Sequence, residues 1–138
     1  MTNEHSNKID VSIVMPVRNE SKYIKRCLES VLAQDYPSDA MEIIIADGLS
    51  ADDTRKIIEK IKFNNDSIPI QIIENIGLIV PTGLNAAICI AKGGIVIRID
   101  GHCEIESDYV RQCVEHISEE RVDGVGGPIT TIGETFLS

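Results

Sequence analysis

The length, composition and charge of the chain limit what kind of protein it is. Its 138 residues, of which 43% are hydrophobic and 25% are charged, suit one globular domain with a buried core. The net charge of −9 disfavours nucleic-acid binding, because phosphate backbones attract positive surfaces, and apolar runs such as Ile43–Ala46 are too short to cross a bilayer.

The first third of the chain predicts a strand, a helix and a second strand. Apolar residues from Asp10 to Met15 predict a buried strand, which Pro16 should end. Apolar residues at helical spacing predict a helix from Ser21 to Gln34, with Asn19 or Ser21 at its N-terminus. The apolar run from Glu42 to Ala46 predicts the second strand.

The rest of the chain continues the same alternation. Ser50 and Asp53 have the spacing of a capping box and predict the start of a second helix. A strand at Ile70–Glu74 is followed by a helix from Pro81 or Thr82 to Lys92, with Leu84, Ala87, Ile88 and Ala91 facing inward. The further predicted elements are a strand at Ile95–Ile99, a helix capped by Ser107, and two strands at Val122–Val125 and Ile129–Ile132 separated by Gly126-Gly127-Pro128. This alternation predicts a single α/β domain, a three-layer α/β/α sandwich with a mostly parallel sheet.

The N-terminus and the cysteines predict a cytoplasmic protein. The segment from Met1 to Lys8 is polar and lacks the apolar core of a signal peptide. The cysteines include no pair at CxxC spacing, so we expect reduced thiols rather than disulfides or a zinc site. The four thiols are Cys27, Cys89, Cys103 and Cys113.

Polar side chains follow three of the predicted strands. Arg18 and Glu20 follow the first strand, Asp47 follows the second, and Asp100 and His102 follow the fourth. In open parallel sheets, ligands bind beyond the carboxyl ends of the strands. We therefore expect these residues to lie on one rim of the sheet.

The segment Asp100-Gly101-His102 is the sharpest signal on this rim. A carboxylate and an imidazole two residues apart, on a turn that leaves a strand, are able to reach one cation. Mixed oxygen and nitrogen ligation suits Mn²⁺, and suits Mg²⁺ less well. The alternative is a turn with a capping Asp100 and a solvent-facing His102.

The other rim residues each have two interpretations. Asp47 is either a hydrogen-bond acceptor for a nucleobase or ribose, or part of a simple turn. Arg18 either neutralises a phosphate or pairs with Glu20. Arg98 interrupts an apolar strand and either pairs with a rim acid or faces the ligand. Asn85, on a predicted helix facing the same cleft, either contacts a phosphate or holds a loop. No GxGxxG motif follows the first strand, so the dinucleotide and P-loop interpretations are weak.

The order of the motifs resembles family 2 glycosyltransferases. The matching stretches are Ser12–Glu20 (SIVMPVRNE), Glu42–Thr54 (EIIIADGLSADDT), Leu84–Ile88 (LNAAI) and Gly94–Asp100 (GIVIRID). The forms Ala-Asp-Gly-Leu-Ser and Arg-Ile-Asp-Gly-His, with the later Gly-Gly-Pro turn, resemble the succinoglycan-biosynthesis (ExoA-like) subgroup. The resemblance covers the chain from about residue 10 onward.

The resemblance implies a GT-A fold, a nucleotide-diphosphate sugar donor, most often a UDP-sugar, and a glycan or lipid-linked acceptor. It also implies inversion of the anomeric centre and a divalent metal, Mn²⁺ or Mg²⁺. It assigns the nucleoside to Pro16, Val17, Arg18 and Glu20, the base to Asp47, and the metal and diphosphate to Asp100 and His102. We add Asn85 to the predicted donor-binding residues.

The sequence departs from the family pattern at three places. His102 stands where an Asp is commoner, and Ile79–Thr82 lacks the basic residue that often precedes the Leu-Asn pair, a contact that Arg98 could replace. The family's general base lies well beyond the metal motif, and Glu134 is too near the chain end to be assigned to that role. We therefore expect residues 1–138 to be the N-terminal donor-binding part of a longer enzyme, with any membrane association arising elsewhere. The alternatives are a non-catalytic nucleotide-binding module and a flavodoxin-like domain.

Overall fold

Alternating strands and helices build the molecule around a four-stranded sheet. The structure, a computed structural model, describes residues 8–120 and 130–131. Its elements in chain order are β1 (Val11–Val17), α1 (Ile24–Leu32), a 3₁₀ turn (Ser38–Ala40), β2 (Met41–Asp47), α2 (Thr54–Asn64), β3 (Ile70–Glu74), α3 (Val80–Ile90), β4 (Ile95–Arg98), β5 (Cys103–Glu104), α4 (Tyr109–Glu120) and β6 (Thr130–Thr131).

The strand order of the main sheet is β3-β2-β1-β4, and each of these pairings is parallel. The chain runs outward from β1 through β2 to β3 and then returns to place β4 on the other side of β1. The order therefore reverses between β1 and β4, which is where such sheets bind ligands. A separate antiparallel pair joins β5 to β6, with Cys103 opposite Thr131.

Helices cover both faces of the sheet. The larger core joins Ile13 and Ile43 to apolar residues of α1, α2 and α4. On the other face, Val14 and Ile44 pack against Ala87 of α3. All seven residues of β1 are buried, as expected for a central parallel strand between two helical layers. The structure thus confirms the predicted three-layer sandwich.

The strand β1 runs further than predicted, and Pro16 lies inside it, opposite Ala46. The prediction that Pro16 ends the strand is wrong because the backbone of Pro16 faces β4 and not β2. The N–H of Ile99 donates to the carbonyl of Val14, so Val14 and, two residues later, Pro16 direct their backbone groups towards β4. The pairing with β4 ends at Val14, before Pro16 is reached. Pro16 therefore interrupts no hydrogen bond to β2.

The helix α1 begins later than predicted, and neither predicted cap forms. No side chain caps its N-terminus; the carbonyl of Glu20 instead accepts the N–H of Ile24 at 2.9 Å. Asn19 uses its side-chain oxygen to accept the N–H of Ala51, and Ser21 donates its own N–H to a carboxylate in another loop. The predicted caps are wrong because these residues bond between loops rather than along the helix.

The predicted capping box at the start of α2 is also wrong. Ser50 directs its hydroxyl back to Asp47, and Asp53 makes no side-chain capping bond. The N–H of Thr54 is instead satisfied by Asp52 Oδ1 at 3.0 Å. The helix consequently starts at Thr54.

The helix α3 presents most of the predicted face to the sheet, since Ala87 is buried and Leu84 and Ala91 pack partly buried against the same cluster. The prediction is wrong for Ile88, which is 49% exposed, whereas Gly83 is buried. The helix approaches so closely that a Cβ on Gly83 would lie 3.3 Å from Ala46 Cβ, and only small residues fit there. The prediction for Ile88 failed because this helix is apolar nearly all round, so periodicity did not select the buried face.

Three predicted features lie outside the described residues: the strand Val122–Val125, the turn Gly126–Pro128 and the position of Glu134. Of the predicted strand Ile129–Ile132, the structure describes Thr130–Thr131, which form β6. Among the helices of the described residues, none has the length and apolar character needed to cross a membrane.

Candidate functional site

A cleft lies beyond the carboxyl ends of β1 and β4, where the strand order reverses. Its walls come from β1, β4 and the segments that follow β1, β3 and β4, namely Pro16, Val17, Arg18, Glu20, Asn75, Leu78, Val80, Arg98, Asp100 and His102. The residues singled out in the sequence that meet here are Pro16, Val17, Arg18, Glu20, Arg98, Asp100 and His102. Asp47 and Asn85 are not among the lining residues.

The loop after β1 is tied to the loop after β2. The N–H of Asn19 donates to Ser50 Oγ at 2.9 Å, and Asn19 Oδ1 accepts the N–H of Ala51 at 2.8 Å. The N–H of Glu20 donates to the hydroxyl of the fully buried Thr54 at 2.8 Å. Asn19 has φ of 52°, a left-handed conformation that asparagine tolerates better than most residues. These bonds fix the direction in which Glu20 enters the cleft.

Arg18 presents an exposed side chain at the cleft. Its stem lies against Gly48, where an added Cβ would come within 3.3 Å of Arg18 Cβ. Among the described residues no carboxylate pairs with Arg18, and Glu20 bonds to His102 instead. The guanidinium charge is therefore available to an anion.

Asp100 and His102 are each held by one neighbouring side chain. Arg98 Nε lies 2.9 Å from Asp100 Oδ1, which is the structural pair considered for this arginine. His102 Nδ1 lies 3.1 Å from Glu20 Oε1. The side chains of Asp100 and His102 are 34% and 38% exposed, so both remain open to the cleft.

Gly101 brings these two residues against β1. A Cβ at Gly101 would lie 2.9 Å from Val17 Cγ1 and 3.2 Å from Glu20 Cγ. A side chain at this position would push the turn after β4 away from β1. The glycine therefore allows the turn that carries Asp100 and His102 to lie against Glu20.

The side chains of Asp100, His102 and Cys103 form a possible cation site. Their ligand atoms all lie within 4.8 Å of one another. Burial raises the pKa of the Cys103 thiol, and the charge of Asp100 raises it further. The carboxylate and the imidazole offer oxygen and nitrogen donors, a pair that fits Mn²⁺.

Asp47 lies at the end of β2 and is only 3% exposed. Its Oδ1 accepts hydrogen bonds from the hydroxyl of Ser50 at 2.6 Å and from the N–H of the same residue at 3.2 Å. Its Oδ2 lies 3.9 Å from a guanidinium nitrogen of Arg55. The carboxylate thus holds the loop after β2, where Leu49 adopts a left-handed φ of 54°.

Asp52 joins the loop after β1 to the start of α2. One carboxylate oxygen accepts from Thr54 and the other from the N–H of Ser21 at 3.2 Å. Partial desolvation acts to raise the pKa of Asp52, but the hydrogen bonds from Thr54 and Ser21 outweigh it and lower the pKa to about 2. The ionised carboxylate is therefore part of the folded structure.

Asn75 is a cleft residue that sequence reasoning missed, whereas Asn85 lies exposed on α3 outside the lining. Asn75 is 4% exposed, donates from Nδ2 to the carbonyl of Ile79 at 2.8 Å and accepts from the hydroxyl of Thr82 at 2.7 Å. These bonds hold the loop that places Leu78, with φ of 67°, in the cleft wall. Looking for polar residues just beyond the carboxyl end of β3, as was done for the other strands, would have identified Asn75.

The cleft combines an apolar wall with a charged end that offers both cations and metal donors. The family model described as glycosyl transferase family 2 matches residues 12–137. A relative from Methanococcus voltae, dolichyl N-acetyl-alpha-D-glucosaminyl phosphate 3-beta-D-2,3-diacetamido-2,3-dideoxy-beta-D-glucuronosyltransferase, is 34% identical over 131 residues. The match covers 91% of this chain and 41% of the relative, so the chain spans about two-fifths of that protein's length.

Two solved structures share the fold. S. aureus TarS in complex with UDP aligns with a TM-score of 0.70 at 23% identity, over 87% of this chain and 38% of the TarS chain. The mannosyltransferase PcManGT from Pyrobaculum calidifontis, in complex with GDP-Man and Mn²⁺, aligns with a TM-score of 0.75 at 24% identity, over 79% of this chain and 32% of that chain. These likenesses confirm the predicted GT-A fold.

Proposed function

The chain belongs to glycosyl transferase family 2, and from that premise we propose that it binds a nucleotide-diphosphate sugar as the donor of a glycosyl transfer. We propose a UDP-sugar as donor and a glycan or lipid-linked glycan as acceptor, within polysaccharide biosynthesis. TarS was solved with UDP, and the name of the M. voltae relative includes a dolichyl-linked sugar phosphate.

The observation that carries the proposal is the pairing of two kinds of surface in one cleft. Its apolar wall suits a nucleobase and ribose and is made of Pro16, Val17, Leu78 and Val80. Its charged end suits a diphosphate, because Arg18 has no carboxylate partner among the described residues and Asp100 lies beside Arg98. A nucleoside diphosphate has this same division between an apolar and an anionic part.

Asp100 and His102 would hold a divalent cation, Mn²⁺ or Mg²⁺. Their oxygen and nitrogen donors fit Mn²⁺, the ion present in the PcManGT complex. When bound, such a cation supplies Lewis-acid stabilisation of the charge on a leaving diphosphate. Among the described residues, Arg18 and Arg98 are the cationic side chains that line this cleft, and they are placed to orient that diphosphate.

The transfer we propose inverts the anomeric centre. A base removes the proton of an acceptor hydroxyl, the hydroxyl oxygen bonds to the anomeric carbon, and the bond to the diphosphate breaks. We assign the base to no described residue of this chain.

The wider setting is part of the same proposal. The Ala-Asp-Gly-Leu-Ser and Arg-Ile-Asp-Gly-His forms favour the succinoglycan-biosynthesis (ExoA-like) subgroup. We propose that residues 1–138 act as the N-terminal donor-binding part of a longer glycosyltransferase, since they span two-fifths of the M. voltae relative. We propose a cytoplasmic location at the inner membrane face, with membrane contact made by other parts of that protein.

Calorimetric titration of the chain with UDP tests the proposal. We expect UDP to bind in Mn²⁺, to bind at least about tenfold more weakly when a chelator replaces the metal, and to compete with UDP-sugars. Equal UDP affinity with and without chelator would contradict the proposed role of the metal. Absence of UDP binding would contradict the proposed donor site. Release of UDP from a UDP-sugar by this chain would exclude the alternative of a non-catalytic binding module.

A further inference from the structure

Glu20 and His102 meet although they are far apart in sequence. Glu20 Oε1 lies 3.1 Å from His102 Nδ1, and the two residues are 82 positions apart. The side chain of Glu20 is 21% exposed, so it is more enclosed than His102 at 38%. Because Arg98 holds the neighbouring Asp100, each of the two metal donors has its own partner.

Glu20 is itself held rigidly. Its N–H donates to the fully buried Thr54, and its carbonyl accepts the N–H groups of Tyr23 and Ile24 at 3.0 and 2.9 Å. Gly101 packs against the Glu20 stem, since a Cβ there would lie 3.2 Å from Glu20 Cγ. The carboxylate is therefore fixed relative to the turn that carries His102.

This contact determines which nitrogen of His102 carries the proton. An ionised carboxylate only accepts hydrogen bonds, so Nδ1 must carry the proton. In a neutral imidazole, Nε2 then holds the free electron pair. We propose that Glu20 is a positioning residue, which fixes the tautomer and orientation of His102 so that Nε2 is offered to the divalent cation. This inference rests on the proposed function and adds a role for Glu20 beyond the nucleoside contact implied by the family resemblance.

The tautomer provides a test that requires neither metal nor turnover. In a long-range proton–nitrogen correlation spectrum at alkaline pH, where free imidazole is neutral, we expect the His102 ring to carry its proton on Nδ1. His102→Ala identifies its signals among the three histidines. In Glu20→Ala we expect the proton to move mainly to Nε2, whereas Glu20→Gln, which keeps an acceptor oxygen, retains it on Nδ1. An unchanged tautomer in Glu20→Ala overturns the inference.

Mn²⁺ affinity, measured by electron paramagnetic resonance, provides the second arm. We expect Glu20→Ala to weaken Mn²⁺ binding about 10–100-fold, the usual effect of removing a partner of a metal-binding histidine. Glu104→Ala is the matched control, because this carboxylate lies two residues after His102 in the chain but pairs with Arg26 at 2.8 Å. We expect it to change the affinity less than about fivefold, as for an exposed ion pair.

A double-mutant cycle separates positioning from the simple loss of a negative charge. If Glu20 acts through His102, then adding Glu20→Ala to His102→Ala has little further effect on Mn²⁺ affinity. Additive losses, or an unchanged affinity in Glu20→Ala, overturn the inference and leave the proposed function intact. Failure of the unaltered chain to bind Mn²⁺ contradicts the metal in the proposed function and this inference with it.

Discussion

Two acids, Asp47 and Asp100, lie at the carboxyl ends of β2 and β4, and they differ in burial and in hydrogen bonding. Asp47 is 3% exposed, and Ser50 donates two hydrogen bonds to its carboxylate. The side chain of Asp100 is 34% exposed and is held by Arg98 alone among the described side chains. The first acid stabilises a loop, whereas the second remains available to a ligand.

The position of each strand in the sheet explains the difference. β2 lies between β1 and β3, and backbone bonds close over its end, since Gly48 N donates to Val17 O and Asn75 N donates to Asp47 O. β4 lies on the other side of the strand-order reversal, where the cleft opens beyond the strand ends. An acid after a buried strand is therefore a stronger sign of ligand binding when that strand borders the reversal.

The largest expected effect on UDP affinity comes from Asp100, the exposed acid of this comparison. Asp100→Asn replaces a carboxylate donor with a neutral amide oxygen, and we expect UDP affinity in Mn²⁺ to fall at least about tenfold, or about 1.4 kcal/mol. Asp108→Asn is the matched control, because that carboxylate bonds to Gln112 outside the cleft. Calorimetry that shows equal losses in both variants would mean that Asp100 acts only through the net charge.

For Asp47, the buried acid of the comparison, we expect substitution to lower the stability of the fold instead. Asp47→Ala leaves the N–H and hydroxyl of Ser50 without their acceptor, and we expect the free energy of unfolding to fall by about 1–3 kcal/mol. Urea unfolding measures this, with the exposed Asp39→Ala as a control expected within about 0.5 kcal/mol of the unaltered chain. Unchanged stability in Asp47→Ala would contradict the structural role of Asp47. Loss of Mn²⁺ binding in the same variant would contradict the difference proposed between Asp47 and Asp100.

Asp47→Asn sharpens the same comparison. This change keeps an oxygen for Ser50 but replaces the carboxylate that the family resemblance assigns to the base. If the assignment is correct, UDP affinity falls while urea stability changes little. Full UDP affinity in Asp47→Asn would leave Asp47 with a structural role alone.

The smallest expected effect is a dependence of stability on pH. Asp52 has a folded-state pKa of about 2, below its ordinary value of 3.8, so its contribution is present above the ordinary value and disappears as the pH falls towards 2. We expect Asp52→Asn to flatten the acid limb of the stability curve. Asp53→Asn, whose carboxylate lies 4.0 Å from Lys56, is expected to keep the limb. Identical curves for the unaltered chain and Asp52→Asn would exclude this linkage.

The pattern of apolar residues in the sequence was sufficient to predict the strands of the main sheet. The strand Ile70–Glu74 has the predicted limits, and β1, β2 and β4 differ from their predicted limits by one or two residues, because apolar runs in buried parallel strands leave a clear signal. The rim residues Arg18, Glu20, Asp100 and His102 meet as the strand-end rule predicts. The position of the cleft in the fold could therefore be predicted from the sequence.

What the sequence could not provide were bonds between distant segments. Nothing near Glu20 indicates His102, and nothing near Ser21 indicates Asp52, since these contacts depend on how two loops pack. The burial of Asp47 likewise follows from the strand order, which the alternation of elements did not specify. The exposure of Ile88 on α3 was missed because the small residue Gly83, rather than this large apolar one, is buried against the sheet.

The central claim is that the cleft between the ends of β1 and β4 holds the metal and the diphosphate. Mn²⁺ broadens nearby amide resonances, so a titration with substoichiometric Mn²⁺ in the presence of UDP locates the ion directly. We predict that broadening is strongest for residues 100–103 and 18–20, and that it disappears in Asp100→Asn. Broadening centred on the acidic residues Asp52 and Asp53, or spread evenly over the acidic surface, would contradict the account.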